Sequence, residues 1–248
     1  MKPFFALYVK ELKANKNLFL FLLLLIAGLN AYGLIRIEDG LDFEEAFKQI
    51  FIWTTIAIFL VLLSLPFLLA HAFNSEWKSE THYQMFALPV SQYKVILAKV
   101  AVVASIGFVG GGIVIGSLYL LILANLPGQI LSFDGMEVTL FWDFVFMCGL
   151  GLVTYMVFIL GLVTGMEGIK FSVKRYRGLA AVAFFALAVF LYIRFFQQGK
   201  MALDFLGQIS ILPTPSGQIA WAPFVYTILT GIIFMIIGLV MYEKRAEI

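Results

Sequence analysis

The chain has 248 residues, of which 62% are hydrophobic and only 13% are charged, and its formal net charge is +2 at pH 7. Soluble globular domains are usually about 45–50% apolar and about 25% charged, so this composition excludes an ordinary soluble protein. The single cysteine, Cys148, also excludes a disulfide bond within the chain.

Six long apolar stretches predict an all-α integral membrane protein. A helix needs about 20 apolar residues to cross roughly 30 Å of hydrocarbon, and backbone amides in lipid must find partners within their own helix. We therefore predict one transmembrane domain of residues 1–248, with membrane spans at residues 18–35, 50–73, 95–124, 142–166, 178–197 and 219–242.

Residues 1–16, before the first span, have the pattern of a short amphipathic helix. Phe5, Tyr8 and Leu12 share one helical face, while lysines occupy other positions of the same segment. This pattern is typical of a helix that lies in the membrane interface and is attracted to anionic lipid. The alternative is a solvated basic tail that only determines topology.

Residues 74–94 follow the second span and form a loop of mixed polarity. The part that ends at Leu88 predicts a short helix, and Pro89 stops it because proline disfavours a helical conformation in the residue before it. Ser91 then has the character of an N-cap for the helix that enters the third span. This arrangement predicts a short, rigid helix that protrudes from the membrane and is suited to receiving force from a soluble partner.

The connection of residues 198–218, before the last span, is apolar but too short to cross the membrane. It ends near Pro213 and Pro215, which interrupt regular structure. A segment of this kind is expected to dip into the membrane and return on the same side.

The distribution of basic residues predicts the orientation. With six spans, 13 of the 17 lysines and arginines fall on the side of the N-terminus, and cytoplasmic loops carry such an excess. Both termini are therefore expected to be cytoplasmic, in a bacterial plasma membrane. The basic residues on that side are Lys2, Lys10, Lys13, Lys16, Lys78, Lys94, Lys99, Lys170, Lys174, Arg175, Arg177, Lys244 and Arg245.

The chain has no G-x4-G-K-[ST] phosphate-binding loop, and its predicted spans carry no charge at mid-depth. Ion-coupled transporters generally place ionisable residues there. Lys99 and Glu167 lie near the cytoplasmic ends of their spans, where we interpret them as side chains that reach to the interface. Energy for any transport is therefore expected from another subunit.

The loop and the layout resemble the ABC-2 transporter permease family. Members have a glutamate-containing short helix, then a Leu-Pro-Val-Ser-like turn and a lysine a few residues later. The matching residues here are Glu76, Glu80, Thr81, Leu88, Pro89, Val90, Ser91 and Lys99. The resemblance also covers the six spans, the N-terminal helix ending in Lys10-Glu11-Leu12, and the long connection before the last span.

The resemblance implies a permease subunit of an ATP-driven exporter, and it implies no enzyme activity in this chain. Two permease chains, identical or siblings, would form the pathway, and two copies of a separate ATPase would bind ATP and Mg. No cofactor is expected in this chain, and the implied partners do not include nucleic acid. The implied ATPase-coupling residues are Glu76, Glu80, Thr81, Met85, Leu88 and Pro89.

Other functions remain open from the residues alone. A secondary transporter or channel is the main alternative, although no internal repeat relates residues 1–125 to 126–248. A membrane-embedded enzyme and a non-transporting membrane scaffold or immunity protein are the others. The substrate and the residues that line its path do not follow from the sequence.

Overall fold

A computed structural model describes residues 2–36, 43–78, 91–125, 137–173, 175–210 and 218–245. The described residues form mainly helices, and six of the helices are long and apolar enough to cross a membrane. This confirms the prediction of an all-α membrane protein with six spans. The helices are α1 (Lys2–Ala14), α2 (Lys16–Arg36), α3 (Phe43–Lys78), α4 (Gln92–Asn125), α5 (Glu137–Ser172), α6 (Arg177–Ala202) and α7 (Ala222–Arg245).

The N-terminal segment is a helix, as predicted, and two residues of its predicted apolar face, Tyr8 and Leu12, pack against the core. Phe5 is 66% exposed, whereas Leu7 and Glu11 are buried against α4. The buried position of a glutamate could not be inferred from amphipathicity, because its partner is 88 positions away in the chain. α1 is therefore a packed part of the helical bundle rather than a solvated tail.

The main apolar core lies between α3 and α4, with α2, α5 and α7 packed around them. Leu65 and Leu69 of α3 are fully buried, and Val102 and Val103 of α4 are 1% exposed. Each buried side chain of this size makes many close atomic contacts, and the small dispersion energies of these contacts add up to a substantial stabilisation. α3 and α4, which flank the predicted coupling loop, therefore belong to one packed unit.

The closest helix pair is α5 and α7, which run in the same direction. A Cβ atom on Gly161 would collide with the carbonyl oxygen of Gly231, and one on Gly168 would collide with the backbone of Gly238. Small residues at a helix interface let two backbones approach closely in a membrane. We call these four residues the glycine seam.

A short hairpin follows α6. After a 3-10 turn (Asp204–Leu206), strand β1 (Gln208–Ser210) pairs antiparallel with β2 (Gln218–Ala220). The sequence analysis predicted no strands here. Residues 211–217, which include Pro213 and Pro215, lie outside the described residues, and the dip into the membrane stays a prediction.

Candidate functional site

A buried ion pair lies at the end of the bundle where α3 ends and α4 begins. Lys99 Nζ of α4 is 2.9 Å from Glu11 Oε2 of α1 and donates a hydrogen bond to the Ala72 carbonyl oxygen of α3 at 3.3 Å. Lys99 is 2% exposed and Glu11 is 3% exposed. Lys99 thus joins its own helix α4 to both α1 and α3, and we call Glu11, Lys99 and Ala72 the polar node.

The polar node contradicts the interpretation of Lys99 as a side chain that reaches the interface. A snorkelling lysine keeps its ammonium group in water, whereas this one is enclosed by protein and paired. Burying two charges has a large desolvation penalty, which the geometry must offset through direct contact and further hydrogen bonds. The position of Lys99 near the end of an apolar stretch could not reveal this, because exposure depends on α1.

The rest of α1 also packs on α4. The Tyr8 hydroxyl donates a hydrogen bond to Ser105 Oγ at 3.0 Å. Leu7 forms an apolar cluster with Val95 and Ala98. These contacts extend over slightly more than one helical turn of α1, from Leu7 to Glu11, and α1 and the first half of α4 are therefore expected to move as one body.

A second polar cluster joins α5 to α3 at the same end of the bundle. Lys170 Nζ donates a hydrogen bond to Asn74 Oδ1 at 2.7 Å and is 2.9 Å from Glu167 Oε2. Glu167 is 5% exposed, so it is another buried carboxylate rather than one at the interface. One turn further, Ser172 Oγ donates a hydrogen bond to the Met241 carbonyl oxygen of α7 at 2.9 Å.

These contacts lie at the two helix ends that the predicted coupling loop connects. Ala72 and Asn74 lie within the last two turns of α3, and Glu76 lies in its final turn. The other predicted coupling residues, Glu80, Thr81, Met85, Leu88 and Pro89, lie outside the described residues. The structure therefore places the two ends of the loop, and both ends are joined to neighbouring helices by buried polar contacts.

The sequence analysis gave none of Glu11, Asn74, Lys99 and Lys170 a role in coupling, although Asn74 begins the predicted loop and Glu11 and Lys99 belong to the family resemblance. The available signal was the ionisable residue within an apolar helix, which usually has a partner and a function.

No group of three or more potential metal ligands was found in the part of the chain that the structure describes.

Comparison with known families identifies the chain. A family model with the description "ABC-2 family transporter protein" matches residues 9–166, which is more than half of the chain. The chain therefore belongs to the ABC-2 transporter family and is a transmembrane transporter permease. The matched range runs from within α1 to near the end of α5, and it contains the polar node and the predicted coupling loop.

Membership of this family implies an ABC transporter with an ATPase partner. Searches of curated proteins and of solved structures found no match.

Proposed function

We propose that the chain is the permease subunit of an ATP-driven exporter. Two permease chains, identical or siblings, form the translocation pathway between them. Two copies of a separate ATPase bind ATP and Mg and supply the energy, while this chain itself neither binds a cofactor nor hydrolyses ATP. The absence of a phosphate-binding loop in the sequence is consistent with this division of labour.

The ATPase docks on the segment of residues 76–89. Glu76, Glu80 and Thr81 provide polar contacts with the ATPase, and Met85 and Leu88 provide apolar anchors. Pro89 ends the segment sharply and sets its angle relative to α4, because it prevents the preceding residue from continuing a helix.

The observation that carries this proposal is the polar node. A force on the loop must enter the bundle through the end of α3 or the start of α4. At these two places Lys99 joins α4 to α3 and to α1, and Lys170 joins α3 to α5. A push from the ATPase would therefore displace several helices together rather than bend one helix end.

The orientation is also part of the proposal. The excess of basic residues puts the polar node and both termini on the cytoplasmic side of a bacterial plasma membrane. Cysteine labelling tests this after the native Cys148 has been replaced by serine. A cysteine at the exposed Arg175 should react with an impermeant maleimide only after permeabilisation, and one at the exposed Gln198 should react in intact cells. The opposite pattern would refute the orientation.

Charge reversal in the loop tests the coupling. We expect the Glu80→Lys chain to insert in the membrane at wild-type levels but to lose its ATPase on purification. Loss of one partner of a desolvated charge pair at an interface typically costs about 2–5 kcal/mol, enough to lower affinity more than tenfold. The measurement is the amount of co-purified protein that carries G-x4-G-K-[ST] and hydrolyses ATP. The matched control is Glu243→Lys, an exposed glutamate in the last turns of α7.

A second substitution separates docking from force transfer. Pro89→Ala keeps the proposed contact residues but lets the short helix run on, so this chain should retain the ATPase while the permease stimulates ATP turnover less. If Glu80→Lys and Glu243→Lys retain the ATPase equally and Pro89→Ala leaves turnover unchanged, residues 76–89 are not the coupling segment.

A further inference from the structure

An apolar cavity of about 240 Å³ lies between α3, α4 and α5. Most of its wall consists of aliphatic side chains. The cavity begins one to two turns into the span of α3 and ends near the middle of that span, so it lies in the half of the bundle away from the polar node. The aliphatic lining residues on α3 and α4 are Ile58, Val61, Leu62, Val114, Ile115 and Leu118, and Leu152 is the one on α5.

The cavity is elongated along the helices. On α3 its lining runs from Thr54 to Leu62, and on α5 it runs from Cys148 to Tyr155. At a rise of 1.5 Å per residue, these stretches correspond to roughly 10–12 Å. The shape is therefore that of a narrow channel parallel to the lipid chains rather than a round void.

The two ends of the cavity differ in polarity. At the end near the membrane surface, Thr54 is 8% exposed and its Oγ1 has no hydrogen-bond partner among the described residues. At the deep end, the Tyr155 hydroxyl donates a hydrogen bond to the Leu62 carbonyl oxygen at 2.9 Å and is therefore satisfied. The cavity thus has one unsatisfied hydroxyl near the surface and an apolar interior below it.

This distribution of polar and apolar groups along the cavity matches that of one acyl chain of a membrane lipid with its ester group. An empty apolar cavity of roughly 150 Å³ already binds benzene, so a longer one accommodates a hydrocarbon segment. A buried hydroxyl without a partner is costly, and an acceptor on a ligand removes that cost. A glycerolipid has its ester carbonyl near the interface and its acyl chain directed towards the membrane centre, in the same order as Thr54 and the apolar wall.

We propose that this cavity is a glycerolipid-binding site, in which an acyl chain fills the space between α3, α4 and α5 and its ester carbonyl accepts a hydrogen bond from Thr54. The site lies within a single permease chain and goes beyond the proposed coupling to an ATPase. Because it can be measured on the isolated chain, failure of the lipid site and failure of the coupling proposal are distinguishable.

Gly151 is a position from which a larger side chain can enter the site. It lines this cavity and also a neighbouring cavity of about 400 Å³ between α5, α6 and α7. A Cβ atom on Gly151 would meet nothing within 4 Å, and the same is true of Gly149 on the same helix. Gly149 does not line either cavity, so Gly149→Leu is the matched control for Gly151→Leu.

The first test uses the purified chain in nanodiscs that contain phosphatidylglycerol with a diazirine at the end of one acyl chain. After illumination, we expect saturable cross-links at the deep end of the cavity, on the peptides around Tyr155 and Leu62, by mass spectrometry. Gly151→Leu should lower these cross-links at least fivefold, while Gly149→Leu and cross-links on the outer surface of α6 stay unchanged. Cross-links that do not saturate, or that Gly151→Leu leaves intact, overturn the proposal.

The second test addresses the hydrogen bond. Thr54→Val removes the hydroxyl but keeps the shape of the side chain. In the wild-type chain, unlabelled ester-linked phosphatidylglycerol should compete with the probe about fivefold better than its ether-linked analogue, which lacks the carbonyl; one hydrogen bond accounts for roughly this factor. In Thr54→Val the two competitors should be equal. A preference for the ester that persists in Thr54→Val refutes the role assigned to Thr54.

Discussion

Two regions of the molecule hold helices together by opposite means. In the polar node, long charged side chains of α1 and α4 meet in a buried contact of 2.9 Å. In the glycine seam, side chains are absent, and the backbones of α5 and α7 touch at two levels one heptad apart. The polar node depends on a charge pair with a defined geometry, whereas the glycine seam depends on the absence of side chains between the two backbones.

The difference has a mechanical consequence. Backbones in direct contact cannot repack by changing rotamers, so the seam is expected to make α5 and α7 a rigid pair. The node joins α1, α3 and α4 through one enclosed lysine, so it is expected to hold these helices together only while both charges are present. The node lies beside the proposed ATPase-docking loop, and the seam lies along a pair of helices that the loop does not flank. The contact that depends on charge is therefore placed where force would enter the bundle.

Breaking the polar node is expected to have the larger effect. Lys99→Met leaves the buried carboxylate of Glu11 without its ammonium partner, and such a loss typically costs about 3–5 kcal/mol. Lys10 provides a matched control, because its Nζ lies 3.9 Å from the other carboxylate oxygen of Glu11 while its side chain is 55% exposed. Lys10→Met should cost about 0–1 kcal/mol. The measurement is unfolding of the purified chains in one detergent.

The double variant separates pairing from packing. Glu11→Met together with Lys99→Met replaces both charges by apolar groups, and such replacements are often close to neutral. We expect the double variant to be more stable than Lys99→Met alone, and the coupling energy then follows from the double-mutant cycle. A double variant that is less stable than either single variant would show that Glu11 and Lys99 do not act as a pair.

Much of the fold could be predicted from the sequence because hydropathy alone determines it. The six spans follow from apolar length, and the helix of residues 2–14 follows from its pattern. The hairpin of β1 and β2 could not be predicted, since each strand has only three residues and strand pairing depends on contacts across a turn. The burial of Glu11 on α1 was also missed, because it depends on Lys99 of α4 rather than on the apolar pattern of α1.

The candidate site was less accessible to sequence reasoning. The predicted coupling residues Glu76 to Pro89 came from a family resemblance, and the structure describes only the helix end that contains Glu76. The ion pair between Glu11 and Lys99 was missed because local sequence does not relate residues 88 positions apart. Of the glycine seam, Gly161 was visible as part of a Gly-x3-Gly pattern, but its partner Gly231 belongs to a seven-residue spacing with Gly238 that such a pattern does not detect.

The glycine seam is tested by the smallest possible side chain. A Cβ atom on Gly231 would lie 2.6 Å from Phe158 Cα and 2.7 Å from the Val157 carbonyl oxygen, both of which are backbone atoms that cannot rotate away. We therefore expect Gly231→Ala to destabilise the chain by about 1–3 kcal/mol, as overpacking usually does.

Gly116 on α4 is the matched control, because Gly116→Ala is expected to change the stability in the opposite direction to Gly231→Ala. A Cβ atom there would meet nothing within 4 Å, and alanine is better than glycine in a helix by up to about 1 kcal/mol. Gly116→Ala should therefore unfold at the same detergent or temperature midpoint as the wild-type chain or slightly higher, while Gly231→Ala unfolds earlier. If both alanine variants are stabilised alike, α5 and α7 do not touch through their backbones, and their rigidity must come from side chains, as in the node.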